Sequence, residues 1–148
     1  AITKINGGVT APKGFFASGL NAGIKNQTKK DMAMVFCSTP CAAAGVFTTN
    51  LVKAAPVKWD KKIVTTSPYV QAVVVNSGIA NACTGAEGLG YCADTAAEAA
   101  AALNIPKTAV LVASTGVIGK QLPIDKISLG DNMLFLRYLE VAEKMPSL

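Results

Sequence analysis

The chain has 148 residues, 51% of them hydrophobic and only 16% charged, which suits one domain with a sizeable core and excludes a disordered segment. Its net charge of +5 rests on scattered lysines, with Arg137 the sole arginine, so the basic stripes and arginine forks of a nucleic-acid reader are missing. There is no histidine, and the chain by itself cannot complete a Ser-His-Asp or Cys-His site.

The opening residues, Ala1-Ile2-Thr3-Lys4, lack the regions of a signal peptide, and no apolar run approaches the ~18 residues of a membrane span. A soluble cytoplasmic protein is expected, free of membrane or nucleic acid, with spare apolar surface covered by a partner chain. Gly7 to Gly19 is punctuated by glycine and reads as loops and brief strands. Met32–Cys37 reads as a buried strand, Ser38-Thr39-Pro40 as a turn, and Ala44–Thr48 as the returning arm of a hairpin. Lys53–Trp59 resists assignment because Pro56 interrupts it.

Val70–Asn76 is the strongest strand signal, crowded with β-branched residues, and Asn76–Gly85 reads as a long polar loop. An alanine-rich helix is expected from about Glu87 to Leu103, closed by Asn104 and Pro106. Lys107–Ala113 then reads as a second buried strand, delivering Ser114-Thr115-Gly116 into a loop. A short helix is expected around Leu122–Ile127, with Pro123 in its first turn. Asn132–Met145 follows as an amphipathic helix whose stripe is Leu134, Tyr138, Val141 and Met145. The fold class is α/β, one domain over residues 1–148, with no internal repeat.

Several constellations carry chemistry worth weighing. Cys37, Cys41, Cys83 and Cys92 have spacings that miss a zinc pattern, so reduced, mostly buried thiols and no metal are expected. Gly88-Leu89-Gly90-Tyr91-Cys92-Ala93 matches the G-x-G-x-x-A form of a dinucleotide fingerprint, but the preceding strand ends about a dozen residues too early. These glycines read instead as a helix approach. Asn76-Ser77-Gly78 and Ser114-Thr115-Gly116 both follow strong strands, and neighbouring strand ends would set two polar loops side by side. Backbone N–H groups and a hydroxyl gathered there suit an oxyanion or a phosphate, although local pattern alone favours ordinary strand-end turns. A serine or threonine nucleophile needs a base; an N-terminal threonine supplies its own amine, yet Ala1 opens this sequence. Acyl chemistry would therefore take its nucleophile from another chain.

Six stretches, taken in order, resemble the ornithine acetyltransferase family (bifunctional glutamate N-acetyltransferases of arginine biosynthesis). They are Gly8–Phe15, Ala44–Asn50, Val52–Val57, Asn76–Gly85, Ser114–Gly119 and Leu122–Lys126. The resemblance implies the α chain of a self-cleaving precursor whose β chain begins with the nucleophilic threonine, the two assembling as a heterotetramer. It implies acetyl transfer from N-acetylornithine to glutamate, no bound cofactor, and acetyl-coenzyme A as a co-substrate in members able to use it. The fold implied is layered, sheets between helices, like that of the N-terminal-nucleophile hydrolases. The family's oxyanion hole falls on Thr115 and Gly116, while Lys53 and Asn81 lie in motifs without a catalytic role. From about Ser128 to the end at Glu143–Leu148 the sequence leaves the family's pattern, so the tail is expected to be atypical. Two other readings remain open: an N-terminal-nucleophile amidohydrolase or aminopeptidase subunit, and a non-catalytic binding subunit.

Overall fold

The structure, a computed structural model, describes residues 2–25 and 28–143, with side chains as far as residue 139. Four strands form one sheet in chain order: β1 (Phe15–Leu20), β2 (Met32–Cys41), β3 (Val70–Ile79) and β4 (Val110–Val117). The first three pair antiparallel, and β4 pairs parallel to β3. Among the described residues three α-helices join the sheet: α1 (Ala55–Thr66), α2 (Gly85–Leu103), which makes the crossover between the parallel strands, and α3 (Ile124–Glu143). The layered α/β class expected from the sequence is what forms.

Strand alternation splits the sheet into two unlike faces. One face sends Met34, Phe36, Ala72, Val74, Val110 and Val112 into the core. Against it pack Cys92, Ala96, Ala99 and Ala100 of α2 and Ile127 and Leu134 of α3. Small alanines let α2 approach the sheet closely, and Tyr138 closes one end of the core edge-on against Phe16 and Phe36, at 4.9 and 5.2 Å. The other face carries two cross-strand rows, Val35–Val73–Leu111 and Ala33–Val75–Ala113, all apolar and only half buried.

Several sequence expectations give way. The turn at Ser38-Thr39-Pro40 is a bulge inside β2, because the register jumps between Phe36 and Cys41 and Pro40 has no N–H to offer the ladder. Ala44–Thr48 is not its hairpin partner; the segment is irregular and largely exposed, and β2 is flanked by β1 and β3. Pro56 does not break structure but starts α1, where a missing N–H costs nothing. α2 ends as expected, on Asn104 in the left-handed conformation (φ 53°) with its N–H bonded to the Ala100 and Ala101 carbonyls. The two C-terminal helices are one: α3 runs unbroken from Ile124, and Gly130 sits against Met32 of β2 rather than ending a helix. Of the expected stripe, Leu134 is fully buried and Tyr138 packs as above, while the Val141 side chain and Met145 lie outside what is described.

Candidate active site

Ser114, Thr115 and Gly116 are not in a loop. β4 continues through them to Val117, in parallel register with the end of β3: Asn76 with Ser114, Ser77 with Thr115, Gly78 with Gly116. The expected juxtaposition of the two stretches is real, but it is made by a sheet ladder. Polar and glycine residues form strand here because each strand supplies the other's backbone partners. At Gly116 φ is 130° and at Gly78 113°, and a Cβ on Gly116 would stand 2.3 Å from the Gly78 carbonyl carbon. Only glycine allows this contact.

β4 is an edge strand, and side chains of α1 cover part of its free edge. The Trp59 Nε1–H donates to the Val110 carbonyl (3.1 Å), and the Val112 N–H donates to Asp60 Oδ1 (3.0 Å). Burial pushes the Asp60 carboxyl up to about 6, with the Val112 hydrogen bond pulling the other way. Backbone groups alternate sides along a strand, so Val110 and Val112 facing outward place Gly116 outward as well. On the inner side, the Val117 carbonyl accepts from the Ala80 N–H at 2.9 Å, as that alternation requires. Beyond Val112 the edge is open. Thr115 and Gly116 are both exposed there, with the Gly116 N–H directed away from β3. The Thr115 N–H turns toward β3, which leaves its hydroxyl as the donor available to an outside group. An N–H and a hydroxyl on adjacent residues of one strand can meet negative charge developing on a carbonyl oxygen.

Beneath the edge lies a polar layer. The Ser114 hydroxyl donates to Asn76 Oδ1 (2.5 Å), and Asn76 Nδ2 donates to the Ile79 carbonyl (2.9 Å). Asn81, also buried, organises the loop into α2: it donates to the Gly88 carbonyl (2.7 Å) and to Cys92 Sγ (3.3 Å), and accepts from the Thr84 hydroxyl (2.6 Å). That is loop bonding. Lys53 lines a cavity of about 180 Å³ with Lys58, Cys83, Thr84, Gly85 and Leu89, and forms no part of the β4 edge.

All four cysteines are free, with Cys37 and Cys92 buried, Cys41 partly buried and Cys83 exposed. Burial, with the Asp60 charge, pushes the Cys92 thiol up to about 12, so it stays protonated and inert. Among the described residues no three metal-ligating side chains converge, and no helix is long and apolar enough to cross a membrane. The glycines Gly88 and Gly90 lie within α2, not in a strand-to-helix turn, so the dinucleotide reading stays rejected. Sequence reasoning missed Trp59, which ends the stretch obscured by Pro56, and Asp60, which follows it. It also gave no role to the Asn76 side chain, whose only signal is a buried-side position at the end of a β-branched run.

Comparison with known proteins places this architecture. A family model described as the ArgJ family matches residues 16–143, a range that passes Ser128. An arginine biosynthesis bifunctional protein ArgJ from Symbiobacterium thermophilum is 55% identical over 126 residues, covering 84% of this chain and 31% of that protein. Its namesake from Thermotoga neapolitana is 50% identical over 120 residues, covering 80% of this chain and 30% of that protein. The chain thus spans about a third of the length of the curated relatives it matches. The crystal structure of an ornithine acetyltransferase from Mycobacterium tuberculosis complexed with ornithine superposes with a TM-score of 0.83 at 48% identity, over 87% of this chain and 69% of that one. ArgJ from Bacillus halodurans gives 0.81 at 44% identity, over 85% and 65%. A family model that matches nearly the whole chain, and a fold shared at this level of identity, mean that the chain belongs to the ArgJ family.

Proposed function

We propose that this chain is the α-chain part of an acetyltransferase that moves an acetyl group from N-acetylornithine to glutamate, with Thr115 and Gly116 forming the oxyanion hole. The observation that carries the reading is the end of the β4 edge, where Thr115 and Gly116 are adjacent, exposed residues of one strand and can offer a hydroxyl and an N–H. The nucleophile comes from a second chain that begins with threonine, since no described group on this chain is a competent nucleophile–base pair. Attack on the acetyl carbonyl puts negative charge on its oxygen, and the two donors receive it. Collapse of that intermediate breaks the amide C–N bond and releases ornithine, its amine taking the proton the threonine hydroxyl gave up; the glutamate amine then attacks the acetyl ester, and the threonine leaves with a proton from that amine. No bound cofactor is required; acetyl-coenzyme A serves as an alternative donor. The half-buried apolar rows on the outer sheet face support assembly with further polypeptide, as an α2β2 enzyme of the cytoplasm.

Transfer from N-acetylornithine to glutamate, assayed in the assembled enzyme, is the direct test. Thr115→Ala is expected to lower kcat roughly a hundred- to thousand-fold, the loss of ~3–4 kcal/mol from one missing oxyanion donor, with KM nearly unchanged. An unchanged kcat would overturn the assignment of Thr115. Release of acetate without transfer to glutamate would replace the acetyltransferase with an amidohydrolase, and no turnover by the assembly would leave a binding subunit.

A further inference from the structure

We infer that Asn76 and Ser114 form a positioning clamp that fixes the donors of the β4 edge; its catalytic consequence rests on the acetyl-transfer reading, its structural one on the hydrogen bonds alone. Asn76 is buried on the core face, and the Ser114 side chain points down to meet it. The two amide atoms of Asn76 work in different directions along the same two strands. Its oxygen holds Ser114, the residue just before Thr115; its nitrogen holds the carbonyl of Ile79, the residue just after Gly78. One side chain therefore brackets the place where Gly78 and Gly116 touch.

Backbone bonds hold the chain on either side, from the Ser77 N–H to the Asp31 carbonyl (2.8 Å) and from the Ala80 N–H to the Val117 carbonyl (2.9 Å), but side chains hold little at the glycines themselves. Gly78 and Gly116 have no side chains to pack, both have positive φ, and β4 beyond Val112 has lost the cover of α1. Glycine pairs at the end of a ladder are where strands fray. The two backbones are in contact, so a displacement of Gly78 is passed to Gly116, whose N–H must already be aimed when charge develops. Buried hydrogen bonds resist such motion more than exposed ones do. Asparagine is required because both an acceptor for Ser114 and a donor for Ile79 are needed. Aspartate keeps only the first, and leucine neither.

The test combines turnover with backbone exchange. In the assembled enzyme, Asn76→Ala is expected to lower kcat roughly 10- to 100-fold, the scale of a misplacement near 1 Å, while KM for the acetyl donor holds within about twofold. Ser114→Ala lowers kcat in the same manner, Ser114→Thr restores it, and the double variant loses little more than Asn76→Ala alone. Full kcat per titrated active site in Asn76→Ala, with only Tm reduced, would mean a merely structural bond and would overturn the clamp. Hydrogen exchange reads the clamp without catalysis: amides at 77–79 and 114–117 exchange faster in both alanine variants while those of α2 do not change. Unaltered exchange at those residues would also overturn it. If the wild-type assembly transfers no acetyl group, the functional reading falls and the exchange result decides the clamp by itself. Should Asn76→Ala fail to fold, the half-buried Ser114→Ala carries both measurements.

Discussion

Asp131 on α3 is fully buried, and neither carboxylate oxygen has a hydrogen-bond partner among the described residues. Burial, aided by the charge of Glu98, pushes its pKa from 3.8 up to about 8. Between those values the folded chain keeps a proton that the unfolded chain has lost, so stability falls as pH rises through that window and levels off above it. At pH 7 the cost is on the order of 4 kcal/mol. Asp131→Asn stays neutral throughout, so its advantage in Tm over the wild type is expected to widen from pH 5 to pH 8. A gap that is constant over that range would show that charge is not the cause. Asp131 could not be singled out from sequence, because an aspartate in an amphipathic helix ordinarily faces water. Thr115 and Gly116 enter only through the family resemblance, because local pattern alone favours an ordinary strand-end turn. Asn76 opens a different stretch, Asn76–Gly85, and its bond to Ser114 depends on a register that only the paired strands create.

Within α2, two glycines separate propensity from packing. Gly90 has open space around its missing Cβ, whereas a Cβ on Gly88 would stand 2.0 Å from the Thr84 hydroxyl and 2.6 Å from Asn81 Oδ1. Gly90→Ala is expected to raise stability by ~0.5–1 kcal/mol, the usual helical gain over glycine. Gly88→Ala is expected to lower it by ~1–3 kcal/mol, since the Asn81 network must move to admit one methyl group. Denaturant midpoints of the two variants decide, and equal shifts would remove Asn81 from the account. Elements whose signal is local were legible: β3 from its run of valines, α2 from its alanines and Asn104. Those that failed did so for reasons of context. Pro56 breaks a helix interior but begins α1, the two helices expected around Leu122–Ile127 and from Asn132 are one, and Ala44–Thr48 has strand-like residues but no strand beside it.

Taken whole, the sheet is finished on one side only. The rows Val35–Val73–Leu111 and Ala33–Val75–Ala113 give the unfinished face the character of a core, which the 51% hydrophobic content already hinted at. Packing a second layer there buries these side chains and yields roughly 25 cal/mol per Å² removed from water. A carboxylate in the middle of that face should forbid the layer. Val73→Asp is expected to abolish co-elution with the proposed threonine-bearing chain while the circular dichroism of this chain is unchanged; retained co-elution would place the interface elsewhere. Composition could announce surplus apolar surface but not which face of which strands carries it, since that follows from register.

Trp59 and Asp60 have a consequence for solubility as well. An exposed strand edge is a template on which other chains add strands, and proteins restrict it. Here α1 occupies the edge at Val110 and Val112, and the turn of backbone at Gly116 disrupts what remains. The uncovered length ends at Val117 and turns at Gly116, so it offers a foreign strand little ladder to pair with. Under the proposed function the same stretch holds the oxyanion donors, and an edge guarded in this way would stay open to a substrate without inviting aggregation.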